Sequence, residues 1–140
     1  VDVKIIPRQV KDYSSNGGRW IYVKLASFKM VAYEGSNPVR TFAISSGAPS
    51  FPTVTGNFKV YSKVRSQTMK GGAGTAEDPA YSVPNVEWIS YFTGNYGIHG
   101  VYWHSDFGIK NRSHGCVGIT NADAEWIYNW DSIGTPVIVR

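Results

Sequence analysis

At 140 residues the chain holds one ordinary domain with its own core and leaves little room for a second. Its composition, 42% hydrophobic, 14% aromatic and 17% charged, excludes disorder as a global description, and its single cysteine excludes both an internal disulfide scaffold and a multi-cysteine zinc fold. The net charge of +4 is uneven: residues 1–70 carry 11 basic and 3 acidic side chains, residues 71–140 carry 3 and 7.

The basic residues are spaced among apolar ones, as on solvated strand faces, and no nucleic-acid-binding motif accompanies them. Nucleic acid is therefore not an expected partner, whereas attraction to an anionic polymer such as a cell wall stays open. No apolar run approaches the roughly 18 residues that span a bilayer. The chain begins at Val1 with mixed residues that do not read as a signal peptide, so a mature or trimmed piece of a longer protein is the simplest expectation.

Residues 1–18, ending in Ser14-Ser15-Asn16-Gly17-Gly18, read as a lead-in segment or linker, and 19–140 as the domain. Within 20–25, Ile21, Val23 and Leu25 alternate with Trp20, Tyr22 and Lys24, which predicts a strand with one buried face. A turn at 27–29 and a second strand at 30–34 suggest a hairpin. Further strands are predicted over 39–45, 57–64, 86–92, 96–101 and 136–139, six or seven in all. Between them, 46–56 and 70–85 are rich in Gly, Pro, Ser and Thr; the second is long for a structureless connection and is a candidate lid. One helix is legible: Thr120 or Asn121 caps it, Asp123 and Glu125 suit its first turns, Trp126, Ile127 and Trp130 share a face, and Gly134 and Pro136 end it. The fold class is mainly β, with one short C-terminal helix and a long lid loop.

All three histidines and the cysteine fall between His99 and Cys116, in Ile98-His99-Gly100, Trp103-His104-Ser105 and Ser113-His114-Gly115-Cys116. A free thiol near pKa 8.5 is mostly protonated at neutral pH and needs a base to become a nucleophile; imidazole is the usual one. Gly115 and Gly118 let the backbone approach a ligand closely, and consecutive amides there could face an oxyanion. His99 ends an aromatic-rich strand that can hold its ring. His114 would share a side of the extended chain with Cys116. His104 reads better as a surface or hydrogen-bonded histidine. A zinc site from these four residues matches no ligand spacing, so no metal is assigned.

The ordered set Gly97-Ile98-His99-Gly100 and Ser113-His114-Gly115-Cys116-Val117 resembles the signature of the L,D-transpeptidase catalytic domain of bacterial cell walls. Pro52-Thr53-Val54-Thr55-Gly56-Asn57-Phe58 resembles that family's PT-x-TG-x-F segment, and Asn121-Ala122-Asp123-Ala124 through Gly134-Thr135-Pro136-Val137 its closing helix and strand. The resemblance implies a β-sandwich-like fold with Cys116 as nucleophile, His99 as general base, His114 as the motif histidine, the Gly115 and Cys116 amides near the oxyanion, and the Gly100 carbonyl orienting the base. It further implies that Ser113, Tyr81, Met69, Trp88 and Trp103 line the donor cleft. Many family members carry Arg or Asn two residues after the cysteine, where this chain has Gly118, a position that helps shape the pocket in relatives.

The implied reaction is 3→3 cross-linking of peptidoglycan. Cys116 takes the acyl group of a tetrapeptide stem, D-Ala departs, and the amine of a second stem resolves the thioester. Donor and acceptor stems are the implied partners, β-lactams, carbapenems above all, the implied covalent inhibitors, a monomer in the bacterial cell envelope the expected setting, and no cofactor is needed. An L,D-carboxypeptidase, in which water resolves the thioester, and a non-catalytic peptidoglycan-binding module are the rival readings. A papain-like peptidase is disfavoured, since histidine precedes cysteine here.

Overall fold

The computed structural model describes residues 18–47, 53–102, 107 and 116–140. Their strands are β1 Arg19–Lys24, β2 Lys29–Glu34, β3 Asn37–Ala43, β4 Gly56–Lys59, β5 Ser62–Gly71, β6 Tyr81–Thr93, β7 Tyr96–Gly100, β8 Val117–Ile119 and β9 Pro136–Val139, with one helix, α1, at Asn121–Trp130. They form a five-stranded sheet in the order β3-β2-β1-β9-β4 and a four-stranded sheet in the order β5-β6-β7-β8. The expected mainly β architecture with one helix is what forms.

The alternation of β1 predicts a single buried face, yet Trp20, Ile21, Tyr22 and Val23 are all buried. Ile21 and Val23 join the main core with Met30, Phe42, Ile98, Val117, Ile127 and Val139. Trp20 and Tyr22 join Val31, Tyr33 and Ile138 in a second cluster, where the Trp20 and Tyr33 rings stack at 4.6 Å. A central strand between β2 and β9 is covered on both faces, and amphipathic tyrosine and tryptophan keep a strand's alternating look while still burying large area.

The predicted strand 57–64 is two strands with a corner between them. Val60 exchanges backbone bonds with Thr135 and Gly134 beside the first sheet, whereas the Tyr61 amide donates to the Tyr91 carbonyl of the second. Alternation is preserved through the corner, which hides it from a periodicity reading. The loop read at 70–85 is shorter: β5 runs to Gly71 and β6 starts at Tyr81, so the connection is 72–80 and its flanks are the ends of a hairpin's two arms. Pro84 sits where the ladder is irregular, between the pairs Gln67–Val86 and Met69–Val83, a place where a missing amide is tolerated. Asn85 and Trp88 take φ of 56° and 57°, and such left-handed turns in non-glycine residues, costing about 1–2 kcal/mol each, bend the arm.

The helix forms as its sequence predicts. Thr120 Oγ1 accepts from the Asp123 amide, Ala124 and Ile127 are buried, and Trp126 and Trp130 pack against the core edge. Its C-terminus is held by Lys63, whose Nζ donates to the carbonyls of Tyr128 and Asp131 and stands 3.0 Å from Asp131 Oδ1. Burial is the main cause pushing the Asp131 carboxyl up to about 6, against the lowering pull of Ser90 and Lys63. A carboxyl whose folded pKa exceeds its unfolded value near 3.9 stabilises fully below that value and loses the contribution as pH rises through about 6. Urea titrations should therefore show wild type losing on the order of 2–3 kcal/mol between pH 4 and 7 relative to Asp131→Asn. Parallel curves for the two proteins would contradict this.

Candidate active site

The second sheet presents two faces. Helix α1 covers one: Gly100 turns its bare Cα toward Asn121, whose Oδ1 would lie 2.0 Å from any added Cβ. The other carries His99 and Cys116. Strands β7 and β8 run parallel with His99 opposite Gly118 and Ile98 opposite Val117, which sets Gly97 beside Cys116. Side chains at 97, 99, 116 and 118 then share one face. His99 and Cys116 occupy diagonal corners of this square and glycines the other two, so no Cβ stands between imidazole and thiol.

Each glycine is overlaid by a neighbour. A Cβ on Gly97 would meet Tyr91 Cδ1 at 3.1 Å, and one on Gly118 would meet Ser45 Oγ and Val101 Cγ2, each at 2.6 Å. Tyr91 pairs with Gly97, and Ser45 bridges Gly118 through two backbone bonds of 2.8 Å. The face thus reads as two rows, Tyr91–Gly97–Cys116 and His99–Gly118–Ser45.

His99 is buried, and its Nδ1 lies 2.8 Å from the Gly100 carbonyl oxygen. A carbonyl oxygen only accepts, so Nδ1 carries the proton and Nε2 is the basic nitrogen. Burial lowers the pKa of His99 below the ordinary imidazole value, with the Gly100 bond opposing it. Cys116 is half-buried, its Sγ 3.5 Å from the Asn95 carbonyl, and burial pushes the thiol up to about 11 against a smaller lowering by the Gly97 backbone. At neutral pH the resting pair is therefore neutral thiol and neutral imidazole. Nucleophilic attack then requires the thiol proton to move to Nε2 as the new bond forms.

Tyr81 and Tyr91 stand within electrostatic reach of the thiol: burial first, then Cys116, raises both hydroxyls above their usual pKa of 10. Met69 lies on β5 opposite Val83, half-buried. Trp88 instead packs its ring edge-on to Tyr128 of α1 at 5.4 Å, under the Arg65 guanidinium, on the helix side. Gly118 is buried beneath Ser45 and Val101. Ser113, His114, Gly115, Trp103 and His104 lie outside the described residues. Among the described residues no group of three His, Cys, Asp or Glu side chains could hold a metal ion.

Sequence reasoning missed Tyr91 and Ser45, both placed beside the glycines of this face. The signal for Tyr91 was incomplete: Thr93-Gly94-Asn95-Tyr96 is a two-residue hairpin turn whose register alone leads to Phe92 opposite Gly97, and a shift between Tyr91 and Thr93 puts Tyr91 there instead. Ser45 reaches the site through an isolated bridge between sheets, which leaves no local pattern.

The family model of the L,D-transpeptidase catalytic domain, YkuD, matches residues 18–139. The chain is 36% identical over 104 residues to the probable L,D-transpeptidase 3 of Mycobacterium tuberculosis, covering 69% of this chain and 37% of that protein. Its structure resembles that of L,D-transpeptidase 3 from M. tuberculosis in complex with a faropenem-derived adduct, with TM-score 0.78, 26% identity and coverage of 88% and 60%. It also resembles the catalytic domain of the E. faecium L,D-transpeptidase, with TM-score 0.76, 27% identity and coverage of 89% and 98%. The chain spans well under half the length of the curated relative and nearly all of the isolated catalytic domain. Family model, relative and structures agree with one another, and the chain belongs to the L,D-transpeptidase catalytic-domain family.

Proposed function

We propose that the domain is a cysteine-dependent acyltransferase that cross-links peptidoglycan stems 3→3. The observation carrying this is the diagonal pairing of His99 and Cys116 across two glycines, with Nδ1 committed to the Gly100 carbonyl. In the first step Cys116 Sγ bonds to the carbonyl carbon of the third stem residue, and the bond from that carbon to the D-Ala nitrogen breaks. The thiol proton passes through His99 Nε2 to the departing amine. In the second step an acceptor stem's amine attacks the thioester, the carbon–sulfur bond breaks, and the proton lost by the amine returns through His99 to the sulfur. The thiol is regenerated and one amide replaces another. Oxyanion stabilisation by the Gly115 and Cys116 amides, the role of His114, and the contacts of Ser113 and Trp103 with the donor belong to this proposal.

The faropenem-derived adduct on a structural relative supports β-lactams as ligands that acylate the same thiol. Because the substrate is cell-wall material, the domain would act in the bacterial envelope. Incubation with a tetrapeptide stem should release D-Ala and, with an amine acceptor, yield the cross-linked product. Release of D-Ala without any transfer product would replace this reading with an L,D-carboxypeptidase, and no release would favour a binding module.

A further inference from the structure

A thiol has one proton to give. Cys116 Sγ lies 3.5 Å from the Asn95 carbonyl oxygen, and a carbonyl only accepts, so this contact uses that proton. Asn95 belongs to the two-residue turn between β6 and β7, and β7 then runs through Gly97, the neighbour of Cys116, to His99. Asn95 and His99 therefore flank the thiol from opposite ends of β7. A proton donated to the Asn95 carbonyl is not available to His99 Nε2, which must receive it when sulfur attacks.

The turn that offers this carbonyl is tied to another part of the chain. Tyr61, at the corner before β5, donates from its hydroxyl to the Gly94 carbonyl, one peptide before that of Asn95. The Tyr61 backbone is itself fixed: its amide donates to the Tyr91 carbonyl at 2.9 Å, and the adjoining Val60 is bonded to Thr135 and Gly134 beside the first sheet. The Tyr61 ring leans on Tyr91 with centroids 6.4 Å apart, yet the residue is 52% exposed, so its hydroxyl serves the turn more than its ring serves the core.

We propose that the Asn95 carbonyl is the resting acceptor of the Cys116 proton and that Tyr61, by fixing the turn, is a positioning residue that sets how readily the thiol leaves it for His99. This rests on the reading of Cys116 as nucleophile and His99 as base. Rotation of the thiol about its Cα–Cβ bond breaks the contact with Asn95 and turns the proton to Nε2, after which sulfur can bond to the acyl carbon. Tyr61→Phe keeps the ring and frees the turn, which weakens the resting contact and raises the share of thiol facing the base.

The test has two arms. The chain's single cysteine gives one S–H stretching band, isolated by subtracting the infrared spectrum of Cys116→Ala. A donated S–H absorbs at lower frequency than a free one. Wild type should show the lowered band, Tyr61→Phe should move it toward the free position, and His99→Gln should leave it in place. A wild-type band at the free position, a band that stays put in Tyr61→Phe, or one that moves in His99→Gln overturns the resting contact whatever the catalysis. In the second arm, intact-protein mass spectrometry follows acylation by a carbapenem at neutral pH. Tyr61→Phe should acylate about two- to fivefold faster than wild type, the scale of one weak hydrogen bond, with the acid limb of its pH profile unmoved because the base is unchanged. A purely structural loss would lower melting temperature and rate together, so an equal or slower rate overturns the control of reactivity. Wild type that never acylates would refute the reading of Cys116 as nucleophile instead, leaving the infrared band to judge the resting contact.

Discussion

His99→Gln should lower the rate of Cys116 acylation by about 10²- to 10⁴-fold, the usual contribution of a positioned general base. The large effect follows from the thiol's environment. With Cys116 pushed up to about 11 by burial, little thiolate exists at neutral pH, so the reaction depends on transferring the proton to Nε2. Glutamine preserves volume and polarity and removes the base. Wild type should show an acid limb in the pH profile of acylation, since His99 must be neutral to accept a proton. Because burial lowers its pKa, that limb should fall below the ordinary imidazole value of 6.5. In His99→Gln the limb should vanish, and the residual rate should climb with pH toward the thiol's own pKa. If His104→Ala produces the large loss and His99→Gln does not, the base is misassigned.

Gly118→Asn should destabilise the domain and slow acylation together. A Cβ at this position meets Ser45 Oγ and Val101 Cγ2 at 2.6 Å, and the two backbone bonds to Ser45 keep the strands from spreading. Overpacking of this kind costs about 1–3 kcal/mol, and a domain of this size loses roughly 2–4 °C in melting temperature per kcal/mol. Because His99 is the register partner of Gly118 and Cys116 lies two residues before it, any shift of β8 changes the nucleophile–base geometry. Adding Ser45→Gly should recover part of both losses. Unchanged melting and acylation in Gly118→Asn would show that the space at Gly118 does not constrain the site.

Much of this site was legible in residue order. Cys116 and His99 were singled out because a lone thiol among clustered imidazoles has few uses and because the surrounding segments resemble a family in sequence, and their strands place them on one face of the second sheet. The α1 helix was legible because its cap, acidic first turn and apolar face are local features. The corner at Val60 and Tyr61 was not, since a chain can pass from one sheet to another without breaking its alternation. The lid read as a loop because Gly, Pro and Ser dominate it, whereas hairpin pairing across irregular registers supplied the order that composition denied. Ser45 was invisible for a different reason: its place above Gly118 arises from a contact between sheets, and no spacing within the chain encodes it.

The glycine square also explains why the departure at Gly118 does not leave an open hole. Ser45 Oγ and Val101 Cγ2 occupy the space that a side chain there would take.

The central claim is that Cys116 is a nucleophile activated by His99, and intact-protein mass spectrometry after incubation with a carbapenem tests it most directly. Wild type should gain the mass of one acyl group, Cys116→Ala should gain none, and His99→Gln should gain it far more slowly. A wild-type protein that remains unmodified, or an adduct that persists in Cys116→Ala, would contradict the account.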